Sequence, residues 1–253
     1  MGRRAAAGGA PGLAASWRLG LGFGQLRMGF VLIVPLFLLY ELGVLYTHTA
    51  NGVDVVSEPL FDLVGRRRSH FLLVQLGTML AYVAYLRWWR PEHRVHRDDI
   101  VAVLLESLIY ALTLGSVILF IMDRVLGVPM LAILPRGAGE SLDALAKVAV
   151  IAAGAGLFEE LVFRLLGMGG LVLVLVAWGT RRSLALIVAA MVSSLAFSAA
   201  HHLGASGDVF HSALFLYRFL AGLIFAAIFY YRGLAHAVYS HLFYDFYVLA
   251  VMR

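Results

Sequence analysis

Long hydrophobic runs separated by short polar segments make up most of the chain. The runs extend over about 28–46, 70–86, 100–122, 148–166, 184–201, 210–231 and 234–252, and a shorter one covers about 165–178. An α-helix needs about 20 apolar residues to cross the hydrocarbon core of a bilayer, and most of the runs come close to that length. The pattern therefore predicts an all-α fold, a polytopic membrane helix bundle with about eight transmembrane helices.

The composition agrees with a membrane protein. Hydrophobic residues make up 62% of the chain and charged residues only 14%, whereas soluble domains carry about 25% charged residues. The net charge of +5 reflects arginines in the polar segments, which suit anionic lipid headgroups better than a nucleic-acid surface. Because the chain has no cysteine, a disulfide, a thiolate metal ligand and a cysteine nucleophile are excluded.

The polar segments also predict how the chain is divided. Residues 1–27 are rich in glycine, alanine and arginine, which indicates a basic, flexible tail on the cytoplasmic side. Residues 28–253 are predicted to form a single transmembrane domain, since the remaining length leaves no room for a second large domain beside the membrane helices.

The short run 165–178 decides the topology, and the distribution of arginines argues that it does not cross the membrane. Without that crossing, one side of the membrane gathers most of the arginines, and the positive-inside rule would make that side cytoplasmic. The arginines concerned lie in the amino-terminal tail and in the 87–97 segment, together with Arg181, Arg182 and Arg232.

Helix rise argues the other way. Glu159 lies late in one run and His201 at the end of another, so they reach the same depth only if a full crossing separates them. We therefore expect a break at Gly167-Met-Gly-Gly170, followed by a separate crossing. This predicts an amino terminus and an 87–98 loop in the cytoplasm, a 181–183 turn on the opposite side, and a site in the cytoplasmic half.

One run contains two adjacent carboxylates and an arginine, in the stretch Phe158-Glu159-Glu160-Leu-Val-Phe-Arg164. Charges at lipid depth cost about 2.5–3.5 kcal/mol each on insertion scales, so they need partners or a wet cavity. Glu160 and Arg164 stand at i,i+4 and are expected to pair and brace the helix. Glu159 faces another direction and is left for the chemistry. The alternative for this stretch is a buried ion cluster that locks two helices together.

Two further polar motifs occur in later runs. Phe197-Ser-Ala-Ala-His201 closes one run, and His241-Leu-Phe-Tyr-Asp245 lies in the last, with its histidine and aspartate one helical turn apart. Polar groups on separate membrane helices are less costly to bury if they converge. We therefore expect the motifs to meet in one site, buried among the last four to five helices.

Such a site fits water-mediated peptide cleavage inside a membrane. A carboxylate and a histidine can deprotonate water as a general base, and a second histidine can stabilise an oxyanion. The set Glu159, His201 and His241 also matches the ligands of a catalytic zinc ion, so a metal-dependent mechanism stays open. Three further charges inside the runs either pair between helices or line the substrate cavity: Glu41, Glu106 and Arg218.

The order and placement of the motifs over about 148–252 resemble those of the CPBP intramembrane endopeptidase family. That family includes the type II CAAX prenyl endopeptidases and bacteriocin-processing or immunity proteins. The residues that carry the resemblance are Glu159-Glu160-x-x-x-Arg164, Phe197-x-x-x-His201 and His241-x-x-x-Asp245.

The resemblance implies a role for each motif residue. Glu159 and His201 would activate water, and His241 and Asp245 would support the oxyanion. The structural support of the site would come from Glu160, Arg164 and Phe197.

The last motif departs from the family pattern, which often ends in asparagine. An asparagine can donate a hydrogen bond to an oxyanion, whereas an ionised aspartate cannot. Asp245 is therefore protonated, orients His241, or helps to bind a cation.

The resemblance thus implies an intramembrane endopeptidase, glutamate-type or metal-dependent, in a bacterial inner membrane. Its partners would be membrane lipid and a membrane-embedded or lipidated peptide substrate, and no nucleic acid. A divalent metal such as zinc is compatible with the site, but the favoured mechanism does not require it. The alternatives are a catalytically silent immunity or scaffolding protein of the same fold and a proton-coupled transporter, since intramembrane Glu, His and Asp also build proton relays.

Overall fold

The structure, a computed structural model, describes residues 23–49, 57–88, 95–128, 142–203 and 207–251. The helices in these residues are α1 (Phe23–Thr47), α2 (Ser57–Leu63), α3 (Arg68–Trp88), α4 (Arg97–Phe120, continued by a π-helical turn Ile121–Val125), α5 (Leu142–Gly154), a π-helical segment (Ala155–Met168), α6 (Gly169–Ala177), α7 (Arg182–Ala200), α8 (Ser212–Arg232) and α9 (Leu234–Val251). The flexible tail predicted for 1–27 lies outside the described residues up to residue 22, and α1 begins within its last part.

The predicted polytopic helix bundle is confirmed. Six helices among the described residues are long and apolar enough to cross a membrane: Met28–Thr47, Arg68–Trp88, Arg97–Val125, Asp143–Ala177, Arg182–Ala200 and Ser212–Arg232. α9 is 18 residues long, about 27 Å at 1.5 Å per residue, and it contains two histidines and an aspartate. We treat α9 as a further membrane helix because it packs against α1, α4, α5, α8 and the π-helical segment.

The predicted break at Gly167-Met-Gly-Gly170 is wrong. α5, the π-helical segment and α6 form one continuous helix, and the residues that flank the π-helical segment, Gly154 and Gly169, have right-handed helical backbone angles. A glycine inside a helix costs only about 1 kcal/mol relative to alanine. In lipid, a broken helix would leave backbone N–H and C=O groups without partners, and this penalty outweighs the cost of the glycines. The runs 148–166 and 165–178 are therefore one helix.

This long helix brings Glu159 and His201 to the same depth without an extra crossing. Glu159 lies near the middle of the helix rather than late in a span, so about 27 Å of helix still separates it from Ala177. α7 then returns over about 28 Å from Arg182 to His201. The two residues thus face each other across a helical hairpin.

The helix contacts also correct the predicted topology. Ser198 near the end of α7 donates a hydrogen bond to the carbonyl of Phe215 near the start of α8, so the start of α7 and the end of α8 lie at one end of the bundle. Arg232 at the end of α8 pairs with Glu106 in the first half of α4. The 178–181 turn therefore lies at the same end of the bundle as the start of α4. His201 lies at the other end of α7, far from that turn.

Accessibility labelling is expected to report this arrangement. A cysteine placed at Thr180 and one placed at Arg97 should be modified from the same side of the membrane, because both lie at the same end of the bundle. The positive-inside rule makes that side cytoplasmic. A cysteine at Val209, in the segment after His201, should be modified from the opposite side. Labelling of Thr180 and Val209 from one side would contradict the hairpin.

Close helix packing fixes the third motif against the first. A Cβ atom on Gly156 would lie 2.6 Å from the carbonyl oxygen of Val238 and 2.8 Å from the amide nitrogen of Leu242. Small residues allow membrane helices to approach in this way. Gly156 lies three residues before Glu159, and Leu242 follows His241, so this contact sets the spacing between the two motifs.

Candidate active site

Glu160 and Arg164 form the buried brace that their spacing predicts. The Nε atom of Arg164 lies 3.3 Å from Oε2 of Glu160, and both side chains are 0% exposed. Both residues belong to the π-helical segment, a form of helix that recurs at functional sites. Both side chains of the pair are thus fully withdrawn from solvent.

Arg164 also contacts α7. Its Nη1 donates a hydrogen bond of 3.2 Å to Oγ of Ser193, and its guanidinium lies 4.9 Å from the centre of the Phe197 ring. Cation–π contacts of this kind gain strength when water is excluded. Arg164 therefore connects the first motif to the helix that carries the second one. Neither contact follows from spacing along the sequence, because both depend on how α7 packs.

Glu159 and His201 meet at the accessible part of the site. Oε2 of Glu159 lies 3.6 Å from Nε2 of His201, and the two side chains are 6% and 27% exposed. Nδ1 of His201 lies 2.8 Å from the carbonyl oxygen of Phe197, and since a carbonyl only accepts, Nδ1 carries the proton. In the neutral ring, Nε2 is then an acceptor, so two acceptors face each other across a gap slightly too long for a direct hydrogen bond.

Burial keeps His201 neutral. It lowers the pKa of His201 to about 4, because a charged imidazolium is disfavoured where water is scarce. The hydrogen bond to Phe197 opposes this shift, and the Arg218 guanidinium adds to it. His201 is therefore available as a proton acceptor throughout the neutral pH range.

This pKa predicts that the rate of any reaction that uses His201 as a base declines only at a lower pH than with an ordinary histidine. An ordinary histidine with a pKa near 6.5 would be mostly protonated at pH 5.5, whereas His201 stays neutral there. Because the base is not lost by protonation, the initial rate of hydrolysis should not halve between pH 7.5 and 6. A rate that falls with an apparent pKa of 6–7 would contradict this.

The folded fraction of the protein has to be measured in the same samples, because acid also lowers the stability of the fold. The unfolded state binds a proton on this histidine below pH 6.5 and the folded state only below about 4. The free energy of unfolding therefore decreases as the pH falls from 6.5 to about 4.

His241 is held from four directions. Its Nδ1 lies 2.9 Å from Oε1 of Glu160 and its Nε2 lies 3.6 Å from Oδ2 of Asp245. Its ring stacks on Phe225 with 4.5 Å between centroids and meets the Phe197 ring edge-on at 5.8 Å. Phe197 also contacts the His201 ring at 4.9 Å, so the three motifs converge around this phenylalanine.

Two of these contacts do not follow from spacing along the sequence. The i,i+4 spacing predicts only Arg164 as a partner of Glu160, yet Glu160 also accepts from His241 and so joins the first motif to the third. Phe225 lies in an aromatic-rich run, where nothing in the spacing distinguishes a ring that packs on His241 from a ring that faces lipid.

The metal-dependent mechanism that the sequence leaves open would need Glu159, His201 and His241 to share one ion. Among the described residues, no group of three His, Asp or Glu side chains is arranged to hold a metal ion. Both ring nitrogens of His241 face carboxylates, Glu160 on one side and Asp245 on the other, so neither is directed at the space between Glu159 and His201. Zinc ligands must point to one centre. The arrangement of Glu159, His201 and His241 in the described residues therefore does not match that of a zinc site.

Asp245 is the more exposed member of its pair with His241. Its side chain is 26% exposed, whereas that of His241 is 4% exposed. If it is protonated and donates to an oxyanion, Asp245→Asn keeps a donor and should retain or improve activity, above all above neutral pH.

If Asp245 is instead the ionised partner that orients His241, the same change should cost about 10–100-fold. The pH–rate profile of the variant beside the wild type distinguishes the two, and we expect the first result. A large loss at every pH that added zinc partly restores would contradict us and restore the metal site.

One further cluster of charges lies apart from the site. Glu106 on α4 pairs with Arg232 at the end of α8 and lies 3.4 Å from Nε2 of His236 on α9. Tyr110 donates a hydrogen bond to the same carboxylate. Of the two interpretations left open for Glu106, pairing between helices is therefore the one that the contacts favour.

The comparisons with known proteins agree with the motifs. Residues 141–247 match the family model described as type II CAAX prenyl endopeptidase Rce1-like, and this region includes all seven motif residues. No curated protein and no solved structure matches the chain. The resemblance predicted from the motifs is thus confirmed over residues 141–247, which are similar to type II CAAX prenyl endopeptidases of the Rce1-like kind.

Proposed function

We propose that this protein is an intramembrane endopeptidase in which Glu159 and His201 activate a water molecule directly. The observation that supports this most strongly is the pair of acceptors, Oε2 of Glu159 and Nε2 of His201, that face each other at 3.6 Å. A water molecule that donates one hydrogen to each would be held and polarised between them. Such a pair can take the proton of the water as it attacks a carbonyl carbon.

The remaining motif residues would stabilise the charge that develops. Attack on the peptide carbonyl turns its oxygen into an oxyanion, which needs donors placed in advance. In this proposal a protonated Asp245 donates to the oxyanion, and His241, whose Nε2 lies 3.6 Å from Oδ2 of Asp245, orients that carboxyl group. Glu160 accepts from Nδ1 of His241 and so holds the imidazole ring in place. The proton taken from water then passes to the leaving amine, which completes the hydrolysis.

The surroundings of the site favour a substrate that is itself in the membrane. Glu159, Glu160 and His241 are buried among helices that are apolar enough to lie in lipid. A peptide attached to a lipid chain, or one that spans the bilayer, reaches such a site without leaving the membrane. The name of the matching family points to prenylated peptides that end in Cys-a-a-X. We place the protein in the bacterial inner membrane, with the arginine-rich end of the bundle in the cytoplasm.

The test is cleavage of a defined peptide by the purified full-length protein in detergent. A farnesylated peptide ending in Cys-a-a-X should be cut once, and mass spectrometry identifies the bond. The same peptide without farnesyl should be cut much more slowly, because it lacks the lipid that concentrates it at the site. A protein that binds the peptide but releases no product over many hours would support a catalytically silent scaffold instead.

A further inference from the structure

Arg218 lies on the face of α8 that points to the site. It stands seven residues before Phe225, which stacks on the ring of His241, and residues at i and i+7 share one face of a helix. Arg218 is nearer the start of α8, which is the end of that helix closest to the end of α7. It therefore lies toward the same end of the site as His201.

Only part of the guanidinium is engaged by the protein. Nη2 of Arg218 donates to Oδ2 of Asp208, whose side chain is 54% exposed. Nη1 is buried and has no hydrogen-bond partner among the described residues, which leave out 204–206. A buried guanidinium nitrogen without a partner is costly, so Nη1 indicates a position for an anion.

The neighbours of Arg218 show that its charge reaches the site. The guanidinium holds the pKa of Asp208 below its usual range, chiefly through the hydrogen bond between them, and it also contributes to the lowered pKa of His201. The amide nitrogen of Asp208 bonds at 2.9 Å to the carbonyl oxygen of His201. Asp208, His201 and Arg218 are thus connected at the mouth of the site.

We infer that Arg218 binds the carboxylate at the free carboxyl terminus of the peptide substrate. A guanidinium presents a planar fork of donors that matches a carboxylate. The Nη2 side of this fork already binds the carboxylate of Asp208. The other arginine of the site, Arg164, is fully buried in its pair with Glu160 and does not meet substrate. Arg218 would then make the enzyme selective for bonds near a carboxyl terminus. The inference rests on the proposed function, because it assigns a substrate group to that site.

The test measures binding, so that it does not depend on cleavage. A fluorescent farnesylated peptide ending in Cys-a-a-X is prepared with a carboxyl-terminal acid and with a carboxyl-terminal amide. Both are titrated onto the full chain carrying Glu159→Gln, alone and combined with Arg218→Gln, Arg218→Lys or Asp208→Asn. Cleavage by the wild type is measured separately and decides the proposed function.

The single variant Glu159→Gln should bind the acid about 10- to 100-fold more tightly than the amide, the range typical of a hydrogen bond to a charged group. Arg218→Gln should abolish this preference and leave the affinity for the amide unchanged, which also shows that the fold is intact. Arg218→Lys should keep part of the preference. Asp208→Asn, the matched control, should keep or increase it, because the competing carboxylate is removed.

Three results of the titrations with the variants would overturn the assignment of Arg218. The first is equal binding of the acid and the amide, or no binding of either. The second is a preference for the acid that survives Arg218→Gln. The third is a preference for the acid that Asp208→Asn removes as completely as Arg218→Gln does. The last would show that the ion pair only holds the loop after His201. Loss of the preference when phosphatidylglycerol is added would also overturn it and assign the position to a lipid phosphate.

Discussion

Replacing Glu159 with glutamine is expected to slow peptide hydrolysis by about 10²–10⁴-fold, the range that a general base contributes. Glutamine has nearly the same size and still accepts a hydrogen bond, but it cannot take a proton from water. The carboxylate lies 3.6 Å from Nε2 of His201. The variant should therefore insert in the membrane, purify and bind peptide as the wild type does, and fail only in the chemical step.

His201→Ala is expected to give a loss of the same order, and the double variant should lose little more than either single one. When two residues act as a unit, the effects of their mutations on the rate are not additive. His211→Ala is the matched control, because His211 is an exposed histidine at the start of α8 and lies outside the motifs. Rates are measured by mass spectrometry on a farnesylated peptide at saturating concentration. Full activity of either Glu159→Gln or His201→Ala would remove that residue from the mechanism.

Replacing Arg164 with alanine is expected to lower the stability of the whole protein. Arg164 is fully buried and contacts Glu160, Ser193 and the Phe197 ring, so its removal leaves a buried carboxylate without its cation. Breaking a buried ion pair costs about 3–5 kcal/mol in soluble proteins. The midpoint of thermal unfolding in detergent and the yield of purified protein should both fall.

An exposed arginine provides the control for this change. Arg124 is 73% exposed and its partner Asp123 is 59% exposed, and exposed pairs contribute at most about 1 kcal/mol. Arg124→Ala should therefore leave thermal unfolding unchanged. If Arg164→Ala unfolds at the wild-type temperature and loses only activity, Arg164 belongs to the substrate site and not to the brace.

Some of this site could be read from the sequence because it depends on local spacing. The Glu160–Arg164 pair and the approach of His241 to Asp245 are contacts between residues four apart, which a helix brings together whatever surrounds it. The convergence of the three motifs followed from the cost of burying polar groups separately. The all-α membrane fold followed from the length of the hydrophobic runs.

Other features depend on packing between distant helices, which spacing does not encode. The bond from His241 to Glu160 and the stacking of Phe225 on His241 require α9, α8 and the π-helical segment to be placed first. Depth along the helices predicts the meeting of Glu159 and His201, but through an extra crossing that the structure does not contain. The stretch Gly167-Met-Gly-Gly170 predicts a break, whereas the membrane favours a continuous helix there. The absence of this break also places the 178–181 turn on the side opposite to the predicted one.

The most direct test of direct water activation by Glu159 and His201 is product formation after removal of metal ions. The purified wild type and Glu159→Gln are dialysed against a chelator, and each is incubated with the farnesylated Cys-a-a-X peptide before mass spectrometry. We predict that the wild type releases product at its original rate after this treatment and that Glu159→Gln releases almost none. Loss of wild-type activity on chelation with recovery on added zinc, or product from Glu159→Gln at the wild-type rate, would contradict the mechanism.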